Sequence, residues 1–151
     1  MTEPEGADGN DTQVYVTMLL ADQLCGIPAL AVRDILGPQP TTPIPLAPPE
    51  VAGSLNLRGR IVTAVDLRRR LRLPPRPDGE AGMAVVTEQG SDLYALLVDQ
   101  VDAVITLRPG QVEATPPTLP AVWAAHCAGV ARIDAGLMLL LDCDSLLALG
   151  A

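Results

Sequence analysis

Six of the ten arginines in this 151-residue chain fall within one stretch, NLRGRIVTAVDLRRRLRL, which runs from Asn56 to Leu73. Between Arg58 and Arg76 the chain carries seven arginines and one aspartate, a local charge of +6 in a chain whose formal net charge is −8. Such a cluster could grip a nucleic acid, clamp a substrate or form a surface for an acidic protein partner. It would orient the encounter with that partner and make association depend on salt.

Other side chains that could bind a metal or take part in catalysis stand near the C-terminus. Asp142-Cys143-Asp144 resembles a D-x-D metal site, but Asp142 falls at an expected helix N-cap and no third ligand is evident. His126 could act as a base for the Cys127 thiol, but neighbours on a strand point to opposite faces. We therefore interpret His126 as a hydrogen-bonded core or loop histidine. The three serines of the chain sit in no nucleophile elbow, and the histidine has no evident partner. These residues predict no enzyme, no metal site and no cofactor.

Composition narrows the function classes further. The chain contains no lysine and no phenylalanine, and only one histidine. A P-loop lysine, a lysine Schiff base and a cluster of histidine ligands are therefore excluded. With so few aromatic side chains, a base-stacking surface for nucleic acid is not expected. The three cysteines form no C-x-x-C pair and are interpreted as reduced core residues.

The order of segments predicts a mostly β protein. Residues 1–12 are acidic and lack periodicity, so they are predicted to be a disordered tail, with one domain over residues 13–151. No apolar run reaches the length of a membrane helix and no signal-peptide layout is present, which favours a soluble, cytoplasmic protein without membrane insertion. Short apolar segments separated by Gly, Pro, Asp and Asn predict two hairpins, around residues 21–23 and 89–92. The prolines in residues 38–49 indicate a sheet edge or an ordered loop, and residues 72–82 a flexible connector. Asp99 and Asp102 are interpreted as exposed carboxylates of a hairpin.

An internal repeat organises the chain. Without a gap, GSLNLRGRIVTAVDLRRRL from Gly53 aligns with GVARIDAGLMLLLDCDSLL from Gly129. Each copy reads as a strand, a glycine-containing turn, a buried strand, an aspartate at a helix N-cap and a short helix. Asp66 and Asp142 are the two caps. The repeat predicts two similar β modules of about 70 residues each.

The differences between the copies point to function. The second copy has Asp134 where the first has Arg58, and its helix carries no arginine. In the first helix Leu67 and Leu71 lie one turn apart on the inner face. The other side chains are expected to point mostly outward, where they would contribute electrostatic steering: Arg68, Arg69, Arg70 and Arg72. The strand-and-cap framework accounts for the aspartates and leucines but not for NLRG or for the arginines.

The residues around Arg58 resemble the signature of the CheW-type coupling proteins of bacterial chemosensory arrays. The segment GSLNLRGRIVTAVDL is similar to the family pattern G-x-x-N-L-R-G followed by D-L, and three further segments are similar in the same order: GIPALAVRDIL, YALLVDQVDAVITL and CAGVARIDAGLMLLLDCDSLL. This resemblance implies two intertwined five-stranded SH3-like β-barrel subdomains that share a core, with short helices. It also implies a non-catalytic adaptor of bacterial two-component signalling. The partners would be the cytoplasmic tips of methyl-accepting chemoreceptors and the regulatory domain of a CheA-type histidine kinase. Recruitment to membrane-associated receptor arrays would follow.

The resemblance also implies a partner-binding site. Arg58 stands at the arginine of N-L-R-G and Asp34 at the acidic position of V-x-E-I, so the two are expected to form an ion pair at the binding surface. Because Asp is one methylene shorter than Glu, this pair is expected to be longer or bridged by water. Asn56 and Gly59 would shape the turn. Apolar contact beside the ion pair would come from Val32, Ile35 and Gly53.

Two alternatives stand beside this function. One is a CheW-like adaptor of a non-flagellar pathway such as twitching motility. The other belongs to a different class, a nucleic-acid-binding barrel that uses the arginine-rich helix. Net acidity and the missing aromatics argue against a nucleic-acid partner.

Overall fold

The computed structural model describes residues 12–75 and 82–148. The expected acidic tail, except for Thr12, and most of the expected connector lie outside the described residues. Within the described ranges, no helix is both long and apolar enough to cross a membrane. The strands and helices follow in this order: β1 (Gln13–Leu20), β2 (Gln23–Pro28), β3 (Val32–Leu36), β4 (Val51–Leu57), β5 (Arg60–Asp66), α1 (Leu67–Arg70), β6 (Met83–Gln89), β7 (Asp92–Val98), β8 (Gln100–Leu107), β9 (Val112–Glu113), α2 (Ala121–Ala124), β10 (Cys127–Ile133), β11 (Gly136–Leu141) and α3 (Cys143–Leu146).

The strands form two sheets, which confirms the prediction of a mostly β, SH3-like architecture. One sheet has six strands in the order β8-β1-β2-β11-β10-β9, and the other has five in the order β3-β6-β7-β5-β4. The first of these exceeds the expected strand number because it includes the two-residue β9. Among the described residues neither sheet closes into a barrel through hydrogen bonds, because the strands at the two ends of each order do not pair.

Each sheet takes strands from both halves of the sequence. The hairpin β1–β2 pairs with β8 and, in parallel, with β11, while the hairpin β6–β7 pairs with β3 and, in parallel, with β5. The two halves have therefore exchanged their hairpins. This confirms the intertwined arrangement and corrects the simpler picture of two modules that each follow one half of the sequence.

Three apolar clusters hold the sheets together. The largest contains buried residues of both sheets and of α1 and α3, including Met18, Leu67, Leu96, Leu139 and Leu146. Smaller clusters lie within the five-stranded sheet, around Val62 and Ala95, and within the six-stranded sheet, around Ala131 and Met138. The shared core predicted from the sequence is the largest of the three.

The internal repeat is confirmed at the level of backbone detail. The register of β4 shifts before Gly53 and that of β10 shifts before Gly129. A Cβ atom at Gly53 would collide with the carbonyl oxygen of Thr42, and one at Gly129 would lie 2.9 Å from the carbonyl oxygen of Glu113. Both glycines therefore allow another strand segment to cross at close range.

Both repeats end in the predicted capped helix. The Asp66 carboxylate accepts hydrogen bonds from the backbone N–H groups of Arg68 and Arg69, and Asp142 does the same for Asp144 and Ser145. Each carboxylate satisfies donors at the start of a helix that would otherwise lack partners.

Candidate protein-binding site

A two-residue turn presents Arg58 at the end of the β4–β5 hairpin. Arg58 has φ +51° and Gly59 has φ +86°, the combination of two positive φ angles that a type I′ turn requires. Asn56 Oδ1 accepts a hydrogen bond of 3.0 Å from the backbone N–H of Gly59 and fixes the turn from one side. A Cβ atom at Gly59 would meet nothing within 4 Å, so glycine is favoured there for its backbone angle and not for lack of space. Asn56 and Gly59 thus shape the turn as predicted.

The Arg58 side chain contacts Asp34, which lies on the strand at the opposite edge of the five-stranded sheet. The turn lies at one edge of the sheet beside β4, and Asp34 lies on β3 at the other edge. Arg58 Nη1 is 3.0 Å from Asp34 Oδ2, so the ion pair is confirmed as a direct contact. The expectation that the shorter Asp would give a long or water-bridged pair is wrong, because the curled sheet brings its edges within reach.

The geometry of this ion pair leaves Arg58 available to a partner. Asp34 Oδ1 accepts a hydrogen bond of 2.8 Å from the Ile35 N–H, whereas the buried Oδ2 accepts none and only lies close to the guanidinium. The contact is therefore electrostatic and lacks the alignment of a hydrogen bond. The Arg58 side chain remains 78% exposed. Most of its five N–H donors can therefore bind another molecule.

The apolar surroundings of the pair differ in part from the prediction. Ile35, beside Asp34, is 39% exposed and can offer surface, whereas Val32 is half-buried and packs against the main core. Gly53 is buried at the crossing with Thr42, so its expected surface contact is wrong. Sequence reasoning missed Ile61, which lies opposite Asn56 on β5 and is 69% exposed. The alternation of side chains along β5 could have predicted this exposure. Because Val62 faces the core, its neighbour Ile61 must lie on the opposite, outer face.

The equivalent position in the six-stranded sheet has different chemistry. The β10–β11 turn there carries Asp134, and β8 takes the position that β3 has in the other sheet. Val104 pairs with Val16 as Ile35 pairs with Val85, so Ala103 stands where Asp34 stands in the five-stranded sheet. The ion pair therefore belongs to one sheet only, although the strand framework is repeated.

Two of the three arginines of α1, Arg68 and Arg70, bind groups inside the molecule, which corrects the expectation that these side chains point mostly outward. Arg68 is only 9% exposed, and its Nη2 and Nε atoms lie 2.6 and 2.8 Å from the two carboxylate oxygens of Asp99. Asp99 also accepts a hydrogen bond from the Ala21 backbone N–H, so it is partly buried and not an exposed hairpin carboxylate. Asp102 is exposed, as predicted. Arg68 therefore joins α1 to the β1–β2 and β7–β8 connections and has little surface left for steering.

Arg70 is also engaged inside the molecule. Its guanidinium donates to the carbonyl oxygens of Ser145, Leu146 and Ala148, at 2.9 to 3.1 Å, at the C-terminal end of α3. A positive group at this end interacts favourably with the helix dipole and supplies hydrogen-bond donors to the carbonyls of the last turn. Arg69 remains outward, with its side chain 61% exposed and its Nε 4.0 Å from Asp66. Steering by Arg69 stays a prediction.

His126 has a partner that the sequence did not reveal. Its Nδ1 lies 2.6 Å from Ser145 Oγ, and that hydroxyl donates to the carbonyl oxygen of Ala125 at 3.0 Å. With the one hydroxyl proton of Ser145 on the Ala125 carbonyl, the histidine is the donor in the contact between Nδ1 and Ser145 Oγ. The pair thus joins α3 to the segment before β10, consistent with the interpretation of His126 as a satisfied buried histidine.

Two cysteines, Cys25 and Cys143, and the D-x-D segment have structural surroundings. Burial raises the pKa of Cys143 to about 11 and that of Cys25 to about 12, so both thiols are protonated at neutral pH. Asp142 serves as the cap of α3. Over the part of the chain that the structure describes, no group of three or more His, Cys, Asp or Glu side chains is placed to hold a metal ion.

Comparison with known proteins gives the family. The model of the CheW-like domain matches residues 14–150. This chain belongs to the CheW-like family. The site built from Asn56, Arg58 and Gly59 lies within the matched region. The adaptor or scaffold role of the family is the role that this fold supports.

Individual relatives agree with this assignment over nearly the whole chain. The chemotaxis protein CheW of Treponema pallidum (strain Nichols) is 30% identical over 143 residues, which cover 91% of this chain and 84% of that protein. CheW of Rhizobium meliloti (strain 1021) is 29% identical over 136 residues, with 90% and 88% covered. The crystal structure of the scaffolding protein TtCheW from Thermoanaerobacter tengcongensis superposes with a TM-score of 0.82 at 25% identity, covering 91% of this chain and 94% of that chain.

Proposed function

We propose that this CheW-like chain is a non-catalytic cytoplasmic adaptor that couples the cytoplasmic tips of chemoreceptors to the regulatory domain of a CheA-type histidine kinase. The observation that carries the proposal is the Arg58 turn. An exposed arginine stands there in a backbone conformation that favours glycine or asparagine. Its contact with Asp34 stabilises the fold by at most about 1 kcal/mol, as exposed ion pairs do. The guanidinium is therefore better explained by binding outside the chain than by stability.

The neighbouring residues suit a protein partner. Ile35, next to Asp34, and Ile61, opposite Asn56 near the turn, add exposed apolar area, and the partly buried Asp34 pairs with the Arg58 charge. Arginine next to apolar surface is typical of the residues that contribute most to protein interfaces. The relatives named chemotaxis protein CheW and the scaffolding protein TtCheW support the same role.

A pull-down from the cell that makes the protein tests this function. The wild-type chain is expected to recover a histidine kinase and receptor signalling domains, and Arg58→Glu is expected to recover neither. Arg58→Asn serves as the fold control, because asparagine tolerates positive φ and forms the Asn-Gly pair preferred in type I′ turns. If folded wild-type protein recovers no kinase and no receptor, the proposed coupling function is wrong. Recovery of a kinase that controls twitching motility would move the adaptor to that pathway.

A further inference from the structure

A cleft beside α1 is formed by the end of the helix and the proline-rich loop before β4. Its lining residues, which together define the α1 cleft, are Pro49, Glu50, Arg69, Arg72, Leu73 and Pro75, and its volume is about 380 Å³. The backbone N–H of Asp66 donates to the carbonyl oxygen of Glu50 at 2.8 Å, which fixes the loop against the start of the helix. This hydrogen bond fixes the wall of the cleft that Glu50 belongs to.

Arg72 stands two residues beyond the end of α1, at the position where glycine most often follows a helix. The N–H of Leu73 donates to the Arg68 carbonyl and the N–H of Arg72 to the Arg69 carbonyl, the pair of bonds that defines a Schellman helix end. The residue before the last donor adopts the left-handed conformation in this motif, and Arg72 does so with φ +58°. Glycine is favoured there because it has no Cβ atom. Arginine at this position therefore costs stability, which indicates a role for its side chain.

Among the four arginines of residues 68–72, the two that line the cleft are the two that bind no group in the protein interior. Arg68 and Arg70 bind Asp99 and the end of α3, respectively. Arg72 is exposed, and among the described residues no hydrogen bond or ion pair engages its guanidinium. Arg69 is exposed and lies 4.0 Å from Asp66. Two exposed arginines thus line the same cleft, and most of their guanidinium donors are available to another molecule.

We infer that the α1 cleft is a docking site for an extended, carboxylate-rich segment of a partner protein. The arginine forks match carboxylates, and the walls of Pro49, Leu73 and Pro75 offer apolar surface but few backbone donors. Glu50 adds one negative charge to the cleft. A polymer with a phosphate at every unit would place a negative charge next to the Glu50 carboxylate and be repelled. A peptide with spaced carboxylates can place an uncharged residue there.

This site is separate from the Arg58 turn and goes beyond the proposed function. The seven residues of β5 lie between the turn and α1, which places the two sites about 20 Å apart at opposite ends of the strand. An adaptor with two such surfaces can hold two segments at once and gain affinity from their connection.

The test is a titration of the full chain with a synthetic peptide of alternating glutamate and proline. Binding is followed through the NMR chemical shifts of the backbone amides. We expect saturable binding with shifts at Arg69, Arg72 and Leu73. Arg72→Gly should weaken binding about fivefold, while its thermal unfolding midpoint stays equal or rises because the left-handed strain is relieved. Arg69→Gln should weaken binding by a similar factor. Arg132→Gln, which removes one exposed charge from the six-stranded sheet, should bind as wild type.

Other outcomes would overturn the inference. Equal affinity of wild type and Arg72→Gly would show that the cleft is not the site, and equal losses for Arg72→Gly and Arg132→Gln would show non-specific attraction. Vesicles of phosphatidylglycerol provide the competing class of partner. If the wild type binds these vesicles and not the peptide, the surface recognises a membrane and not an acidic protein segment.

Discussion

At the scale of single residues, the chain places arginines where stability alone would favour other side chains. Arg58 and Arg72 both adopt positive φ angles. This conformation costs an L-residue roughly 1 to 2 kcal/mol relative to right-handed backbone. Contacts inside the chain offset little of this cost, since Arg58, 78% exposed, gains one ion pair with Asp34, and Arg72 is exposed. Strain that internal contacts offset only in part supports the proposal that these two side chains bind another molecule.

Arg68 is the opposite case, an arginine whose role is internal. Replacing it with methionine should lower the free energy of unfolding by about 2 kcal/mol or more, because Asp99 would keep its partly buried charge without the guanidinium. Urea unfolding measures the loss. Arg69→Met, one residue along and exposed, is the matched control and should change stability by no more than about 0.5 kcal/mol. Equal effects of the two substitutions would contradict the internal role of Arg68.

His126 gives a pH-dependent contribution to stability. Burial lowers its pKa, nearby Arg70 lowers it further, and Asp142 acts in the opposite direction. As pH falls below about 6.5, the unfolded chain takes up the proton first, so folded stability decreases until the pH passes the lowered pKa of the folded state. His126→Asn keeps an N–H group near Ser145 but does not titrate.

The decisive quantity for His126 is the change in unfolding free energy between about pH 7 and pH 5. Wild-type protein should lose more stability over this interval than His126→Asn. Equal losses in the two proteins would assign the pH dependence to other groups and contradict the role of the buried imidazole.

At the scale of the elements, short helices depend on contacts from outside themselves. α3 contains only four residues, and the Arg70 guanidinium binds three carbonyl oxygens at its end. Arg70→Ala should destabilise the protein by about 1.5 to 3 kcal/mol, as the loss of hydrogen bonds to a charged group does. Arg70→Lys should recover only part of this, because an ammonium group lacks the planar fork. Amide hydrogen exchange at Leu146 and Leu147 would detect the change, and unaltered protection in Arg70→Ala would contradict it.

The sequence predicted the elements better than the contacts between them. The aligned aspartates identified both helix caps, because an N-cap depends only on residues within one turn. The NLRG motif likewise identified the turn that Asn56 and Gly59 shape. The internal roles of Arg68 and Arg70 were missed, since Asp99 and the end of α3 lie 31 residues or more away from them in the chain. Helical spacing shows which side of a helix faces inward but not which distant carboxylate or helix end it meets.

At the scale of the whole molecule, the exchange of hairpins makes the two halves depend on each other. Strand β2 pairs with β11, and β7 pairs with β5, so neither half has a complete sheet by itself. Residues 12–75 expressed alone should therefore lack cooperative unfolding. Mixing this fragment with residues 82–148 should restore the β-sheet circular dichroism signal. Cooperative unfolding of either fragment alone would contradict an intertwined core.

The exchange itself could not be derived from the repeat. A repeat of strand, turn, strand and helix predicts two equal modules whether or not the hairpins cross over, because the same apolar faces are buried in both arrangements. Only the resemblance to a known family implied the intertwined form. The pairing of β2 with β11 and of β7 with β5 joins strands that are far apart in the sequence. The local pattern of residues does not determine which distant strand each one pairs with.

The central claim is that the Arg58 guanidinium binds a signalling partner and does not support the fold. The most direct measurement is isothermal titration calorimetry. The regulatory domain of a CheA-type kinase from the same organism is titrated with wild-type protein, with Arg58→Asn and with Arg58→Glu. We predict that Arg58→Asn is at least as stable as wild type in urea but binds about tenfold or more weakly, and that Arg58→Glu shows no binding. Wild-type affinity in a folded Arg58→Asn variant would contradict the account.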